Sequence, residues 1–348
     1  MQYRYLGFAV SLFALACSSD PAAPKTDADY QAEVVAGMHD ALLSDIAALH
    51  GSAQALVTAA PTHAWDAESD AAAITALQNA WLAARAAYER TEGALAPLFP
   101  DIDTAIDARY DDFMEELSPN GDDDLFDGEG VTGMHAIERI LYAQTTPADV
   151  IELESTLEGY KAAAWPATDD EAIAFKNELC AKLVTDTARL KAEWAPARID
   201  LQGSFDGLIA LMNEQREKVN KAASEEEESR YAQRTMADIR DNLAGTRKVY
   251  GLFRPWLDTK SDGKTVDADV QAAFDELGAA YAAVDGDAIP VPPADWSSES
   301  PSADALATPF GELYTAVQAA ADPNRPGSAV DGMNRAAMAL GFGQFVEE

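Results

Sequence analysis

The chain has 348 residues, 48% of them apolar, and carries 60 acidic against 25 basic side chains for a net charge of −35 at neutral pH. A surface of that sign repels a phosphate backbone and attracts cations, which excludes nucleic acid as a partner and leaves metal ions, proteins and membranes open. Its two cysteines, Cys17 and Cys180, cannot build a disulfide framework.

The opening stretch MQYRYLGFAVSLFALAC sets one Arg before a mostly apolar run and ends in ALAC, the pattern of a secretory signal that closes on a lipobox. The run is shorter than the roughly 20 residues a membrane-spanning helix needs. Cleavage before Cys17 and lipidation of its thiol are therefore expected, tethering the mature chain to a bacterial membrane on its periplasmic or cell-surface side. Residues 18–27, SSDPAAPKTD, are small, polar and proline-containing and read as a flexible tether.

From Ala28 to Thr58, Val35, Met38, Leu42, Ile46 and Leu49 recur at helical steps and predict an amphipathic helix. The next pattern, Asp70 to Ala96, runs Ile74, Leu77, Trp81, Arg85, Tyr88, Glu92 and Leu95, so two charged residues fall on the stripe that should be buried. Such a face rejects charge unless it is paired or bound to something. Arg85 and Glu92 thus read either as a buried ion pair or as part of a site. Further helices are predicted after the acidic loop NGDDDLFDGEG, around GVTGMHAIERILYAQ, then near 149–163 and 171–194.

The string WAPARIDLQG breaks the chain into a first helical bundle, residues 28–196, and a second, residues 197–348. Helices near 203–223, 226–256, 266–284 and 310–321 are predicted in the second, with an irregular Pro- and Ser-rich segment near 289–309. The acidic run SEEEES would then lie at a helix N-terminus, where the macrodipole favours it. Strand-like alternation is nearly absent and no fixed repeat occurs. The predicted fold class is all-α, two antiparallel four-helix bundles.

His135 and Glu138 stand one turn apart on a shared helix face, beside the apolar Met134, Ile137 and Leu141. An imidazole and a carboxylate at that spacing can reach one metal ion, as in the Glu-x-x-His pairs of metal-binding bundles, and equally can form a plain hydrogen-bonded pair. The inward Glu92 and the acids of DIDTAIDARYDD offer donors from facing helices. Oxygen and imidazole donors without thiolate suit iron, manganese or zinc. Zinc-peptidase helices, glycine-rich phosphate loops and the GxSxG elbow are absent. DTKSDGKTVDAD fails as a calcium loop, because Lys260 occupies a ligand position and Asp269 replaces the bidentate Glu. His39, His50 and His63 have no evident partners.

Several strings together resemble the imelysin-like family in the form found in the EfeO and EfeM iron-uptake proteins. AARAAYERTEGALAPLFPDIDTAIDARYDDF is similar to that family's segment with YERIE and IDARE, and TGMHAIERIL to its GFHRIEKAL stretch. EEEESRYAQRTMADIRDNLAGTRKVYGLFRPWL is similar to the region beginning near GEEERYS. The resemblance implies two four-helix bundles and a metal site around an HxxE motif in the first. His135 and Glu138 match that motif, with Gly133 before it, while Glu92 matches the YERIE glutamate, Asp107 the IDARE aspartate and Arg109 the arginine after it. Tyr110 stands where IDARE ends in Glu, so Asp111 or Asp112 would have to replace that acid. The chain passes from tether straight to helix, which resembles the short form without the cupredoxin-like domain.

The expected function is that of a lipid-anchored, periplasm-facing protein that binds iron or another divalent metal through Glu92, Asp107, His135 and Glu138. Arg85, Arg109, Asp111 and Asp112 would support that site, and an iron permease or other uptake component would be the partner. The alternatives are a metallopeptidase, in which the metal activates water, and a surface scaffold lipoprotein without catalysis.

Overall fold

The computed structural model describes residues 24–117 and 124–345. Cys17, and with it the expected signal and lipidation, lies outside the described residues. Helices α1 (Asp27–Ala59), α2 (Ala71–Glu89), α3 (Glu92–Leu95), α4 (Pro100–Asp107), α5 (Tyr110–Glu116), α6 (Gly133–Leu141), α7 (Ala148–Glu154), α8 (Asp169–Ala174) and α9 (Cys180–Trp194) form the first part. A single π turn, Phe175–Leu179, joins α8 to α9. Next come α10 (Leu201–Lys221), α11 (Thr235–Leu257), α12 (Gly263–Ala282), α13 (Ala303–Leu306), α14 (Pro309–Ala321) and α15 (Ala329–Leu340), and no strand occurs among the described residues.

The long α1 begins in a capping box: the Thr26 hydroxyl accepts from the Asp29 N–H, and the Asp29 carboxylate accepts from the Thr26 N–H at 2.7 Å. Its Met38, Leu42, Ile46 and Leu49 are completely buried. It lies against α2 and α9, while α6 rests on α2, α4 and α9. In the second part α10, α11 and α12 pack with α14 and α15. The two groups meet where α11 crosses α1 and α2 and where α10 lies on α3, so one apolar core runs through both.

Four elements differ from the sequence expectation. The helix expected from Asp70 to Ala96 ends at Glu89, turns at Arg90 and Thr91, and restarts as α3. The Thr91 hydroxyl donates to the Tyr88 carbonyl at 2.8 Å, and the turned backbone at Arg90 lies so close to α11 that a Cβ on Gly245 would stand 2.3 Å from the Arg90 oxygen. The helix expected from 226 begins only at Thr235. The acidic run is not a helix N-terminus; Glu225 (φ 61°) and Gln233 (φ 52°) adopt left-handed backbone and bound a turn that carries Glu228 inward. Buried ion pairing there outweighs the good helix propensity of glutamate, a preference of only tenths of a kcal/mol.

The third difference is α15, where no helix was expected; its buried face mixes Ala329, Ala336 and Ala337 with Val330, Gly332, Met333, Asn334 and Leu340. Ser328 caps it by accepting from the Asp331 N–H, and Gly341 ends it in left-handed backbone at φ 87°. The helix expected near 149–163 also stops early, at Glu154. His39, His50 and His63 do have partners, the Ala197 carbonyl at 3.2 Å, the Thr187 hydroxyl at 3.1 Å and Asp70 at 3.0 Å. Among the described residues no helix is long and apolar enough to cross a membrane.

Cys180 is fully buried at the start of α9, and that burial pushes its thiol far above the usual range. A thiol reagent such as Ellman's reagent should therefore leave Cys180 unmodified in the native chain and modify it once denaturant is added. Rapid labelling of Cys180 without denaturant would contradict the packing described.

Candidate metal centre

Arg85 lies on the inner face of α2 with its side chain wholly buried. Its guanidinium touches the carboxylates of Glu89 and Asp107 and lies 3.3 Å from Glu228 Oε2 and 3.5 Å from Asp238 Oδ2. Such a buried cation survives only with close counter-charges. The pairing with Glu92 considered from sequence does not form; the chain turns after Glu89, and Glu92 faces other partners. Those are Lys218 on α10, whose Nζ lies 3.4 Å from both Glu92 oxygens, and Asn242 on α11, whose amide donates to Glu92 Oε2 at 2.8 Å. Lys218 also lies 2.8 Å from Glu228 Oε1.

These charges set the acids apart. Burial raises the pKa of Glu89 and of Glu92 against the pull of Arg85 and Lys218. Burial would raise Glu228 too, but Lys218 and Arg85 hold it down at about 2. Asp238 is pushed up to about 6, burial prevailing over Arg85.

His135 reaches this cluster because α6 begins at Gly133. With φ at 84° and an imaginary Cβ only 2.7 Å from the Ile106 carbonyl oxygen, that position accepts glycine and lets the first turn of α6 lie against the end of α4. Asp107, the last residue of α4, then faces the imidazole, with Nε2 at 3.4 Å from Oδ1. His135 is 1% exposed, and its Nε2 makes no hydrogen bond. Nδ1 lies 2.8 Å from Glu138 Oε2, and the other Glu138 oxygen accepts from the backbone N–H groups of Tyr231 at 3.1 Å and Ala232 at 2.8 Å. Glu138 therefore links His135 to the 228–233 turn.

Burial and the Arg85 charge depress the imidazolium, but its contacts with Asp107 and Glu138 prevail and lift it to about 9. At neutral pH the metal-free ring thus holds protons on both nitrogens. Loss of the Nε2 proton leaves Nδ1–H on Glu138 and a lone pair directed at Asp107, the arrangement in which a carboxylate orients a metal-ligating histidine.

One oxygen from each of Glu92, Asp107 and Glu228 lies within 4.8 Å of the others, a spacing that bonds of roughly 2.0–2.2 Å to one ion can close with small side-chain shifts. Two of the three, Asp107 and Glu228, line a cavity of about 330 Å³ together with Arg109, Asp112, Glu214 and Lys218 among others. A second triad, Glu89, Glu228 and Asp238, has the same compactness but already surrounds Arg85.

The expected supporting residues divide between these places. Asp111 binds Arg230 at 2.6 Å, and Asp112 accepts from the Arg109 N–H at 2.9 Å at the start of α5. Tyr110 receives the Arg139 guanidinium over its ring at 3.9 Å, and Arg139 in turn binds Glu154 at 3.0 Å. The Tyr231 hydroxyl donates to Glu154, so the turn is anchored on both flanks. Sequence reasoning missed Glu228, Lys218 and Asn242. Lys218 and Asn242 fall on the buried stripes of α10 and α11, the same signal that exposed Arg85; Glu228 lies in a turn and has no periodic signature.

The all-helical fold and its buried carboxylate centre coincide with a family-level match: the imelysin profile covers residues 35–322, and the chain belongs to the imelysin family. An Efem/EfeO family lipoprotein of Staphylococcus haemolyticus is 30% identical over 190 residues, 55% of this chain and 52% of that one. The iron uptake system component EfeM of Pseudomonas syringae pv. syringae is 26% identical over 203 residues, 58% of this chain and 57% of that one. The chain spans about half the length of these curated relatives. The crystal structure of an imelysin-like protein from Psychrobacter arcticum 273-4 superposes with a TM-score of 0.61 at 14% identity, covering 93% of this chain and 99% of that one, a likeness of fold.

Two substitutions check this geometry by chemical denaturation. Arg85→Met leaves buried carboxylates without their cation and should cost about 3–5 kcal/mol of stability; a cost near zero would mean the acids do not depend on it. Gly133→Ala should cost about 2–4 kcal/mol through backbone strain and the clash with α4, whereas an unchanged midpoint would refute the close approach.

Proposed function

We propose that this chain is a lipid-anchored protein on the periplasmic or outer face of a bacterial membrane that binds iron, or a similar divalent ion, as cargo and delivers it to an uptake system. The ligands are Glu92, Asp107, Glu228 and the Nε2 of His135, with Glu138 as the carboxylate that orients the ring. The observation that carries this reading is the buried Nε2, whose 3.4 Å contact with Asp107 falls short of a well-formed hydrogen bond, beside a carboxylate triad of which Asp107 and Glu228 line a cavity. Hard oxygen donors with one imidazole suit iron, manganese and zinc in that coordination.

The relatives' printed names, an iron uptake system component and family lipoproteins, support iron as the cargo and Cys17 as the anchor. A cargo site differs from a structural one in needing an open route, and the cavity supplies it on the side of Asp107 and Glu228. The acidic surface raises the local cation concentration at the mouth. An iron permease in the same membrane is the partner class for release.

Calorimetric titration of the purified full chain with ferrous ion under anaerobic conditions, and with zinc and manganese, should give one saturable site. His135→Ala and Glu228→Gln should weaken it at least about tenfold, and Glu138→Gln by about ten- to hundredfold, the range for groups that orient a ligand. Absence of saturable binding, or equal affinity in the variants, would sink the reading.

A further inference from the structure

We infer that the Lys218 ammonium is a tethered counter-cation: it holds the carboxylates of the centre in the metal-free chain, gives way when the ion enters, and returns when the ion leaves. This rests on the metal-binding reading above and adds to it the device that makes binding reversible and selective for charge.

Arg85 and Lys218 both touch acids of this centre, and their surroundings differ. Arg85 is enclosed by four carboxylates, its side chain wholly buried, and forms no part of the wall of the cavity that Asp107 and Glu228 line. Lys218 reaches the same region from α10, forms part of the cavity wall, and touches two of the three triad acids directly, Glu228 at 2.8 Å and Glu92 at 3.4 Å. Its third contact is the Asn242 carbonyl oxygen at 3.2 Å, and the Asn242 amide binds Glu89 and Glu92 on its other side. Gln215 donates to that same Asn242 oxygen at 3.2 Å and accepts from the Tyr281 hydroxyl at 2.9 Å. The ammonium therefore occupies a preformed cation position with a fixed amide behind it.

An arriving ion must use the carboxylate oxygens that Lys218 now holds. A divalent or trivalent ion competes for them with two or three times the charge of the ammonium, and a monovalent ion gains no such advantage. The displaced side chain has somewhere to move, since its four-carbon stem is flexible and Glu214 and Glu217 stand on the same helix along the cavity wall. On release, the ammonium again satisfies Glu92 and Glu228, so the emptied centre is not left as bare negative charge.

The test is zinc binding by the full chain and by Lys218→Met, which keeps a similar stem without the charge, with release followed by chelator chase in stopped flow. The variant should bind zinc roughly ten- to hundredfold tighter, the range expected of groups just outside the coordination sphere, and release it correspondingly more slowly. Equal or weaker affinity in a variant with unchanged helical content would overturn the inference while leaving the metal site standing. If neither chain binds zinc, iron or manganese, the metal reading itself fails and this inference with it. Amine footprinting of the wild-type chain by mass spectrometry provides a check that does not depend on the variant folding. Lys218 should be protected without zinc and labelled several-fold faster at saturation, and an unchanged labelling rate would also overturn the inference.

Discussion

The burial of Arg85 among four carboxylates is the constraint from which the rest of the structure follows. A guanidinium excluded from water must find its counter-charges in fixed positions, and those positions come from four different parts of the chain: Glu89 on α2 itself, Asp107 at the end of α4, Glu228 in the turn before α11, and Asp238 within α11. Satisfying one cation therefore brings the two halves of the chain together at one point. The surplus of acid over base around Arg85 is what turns a structural ion pair into a place that can accept another cation.

Glu138 performs the corresponding task on the opposite side. One of its oxygens holds the His135 ring and the other holds two backbone N–H groups of the 228–233 turn, so the imidazole and Glu228 are positioned by the same carboxylate. Arg230 on Asp111, and Tyr231 and Arg139 on Glu154, fix the rest of the turn. The HxxE pair is thus a joint between the first half of the chain and a turn from the second, and the histidine is its metal-facing end in the function proposed.

Membership of the imelysin family and the all-helical fold were legible in strings such as TGMHAIERIL and in the apolar rhythm of α1, α2 and α11. The misread elements share a cause. The break after Glu89 and the late start of α11 occur where residues with good helix propensity meet charges on another element, and tertiary ion pairing prevails over a local preference of tenths of a kcal/mol. Lys218 was visible in principle, as a charged residue on the buried stripe of α10.

By itself the sequence determined the class of fold and drew attention to His135, Glu138, Glu92 and Arg85, because helical periodicity and residue spacing report which side chains share a face; the family and Asp107 came from the resemblance of its strings to imelysin-like segments. Tertiary structure alone decided who meets whom: that Arg85 pairs with Glu89 instead of Glu92, that Glu138 spans to the turn, and that Glu228 and Lys218 enter the centre. The physical reason is that a one-dimensional pattern records burial, whereas the partner of a buried charge depends on which distant element supplies the opposite charge at hydrogen-bonding distance. Beyond the local pairs Arg85–Glu89 and His135–Glu138, Arg85 meets Asp107, Glu228 and Asp238 and Lys218 meets Glu92 across more than twenty residues of chain.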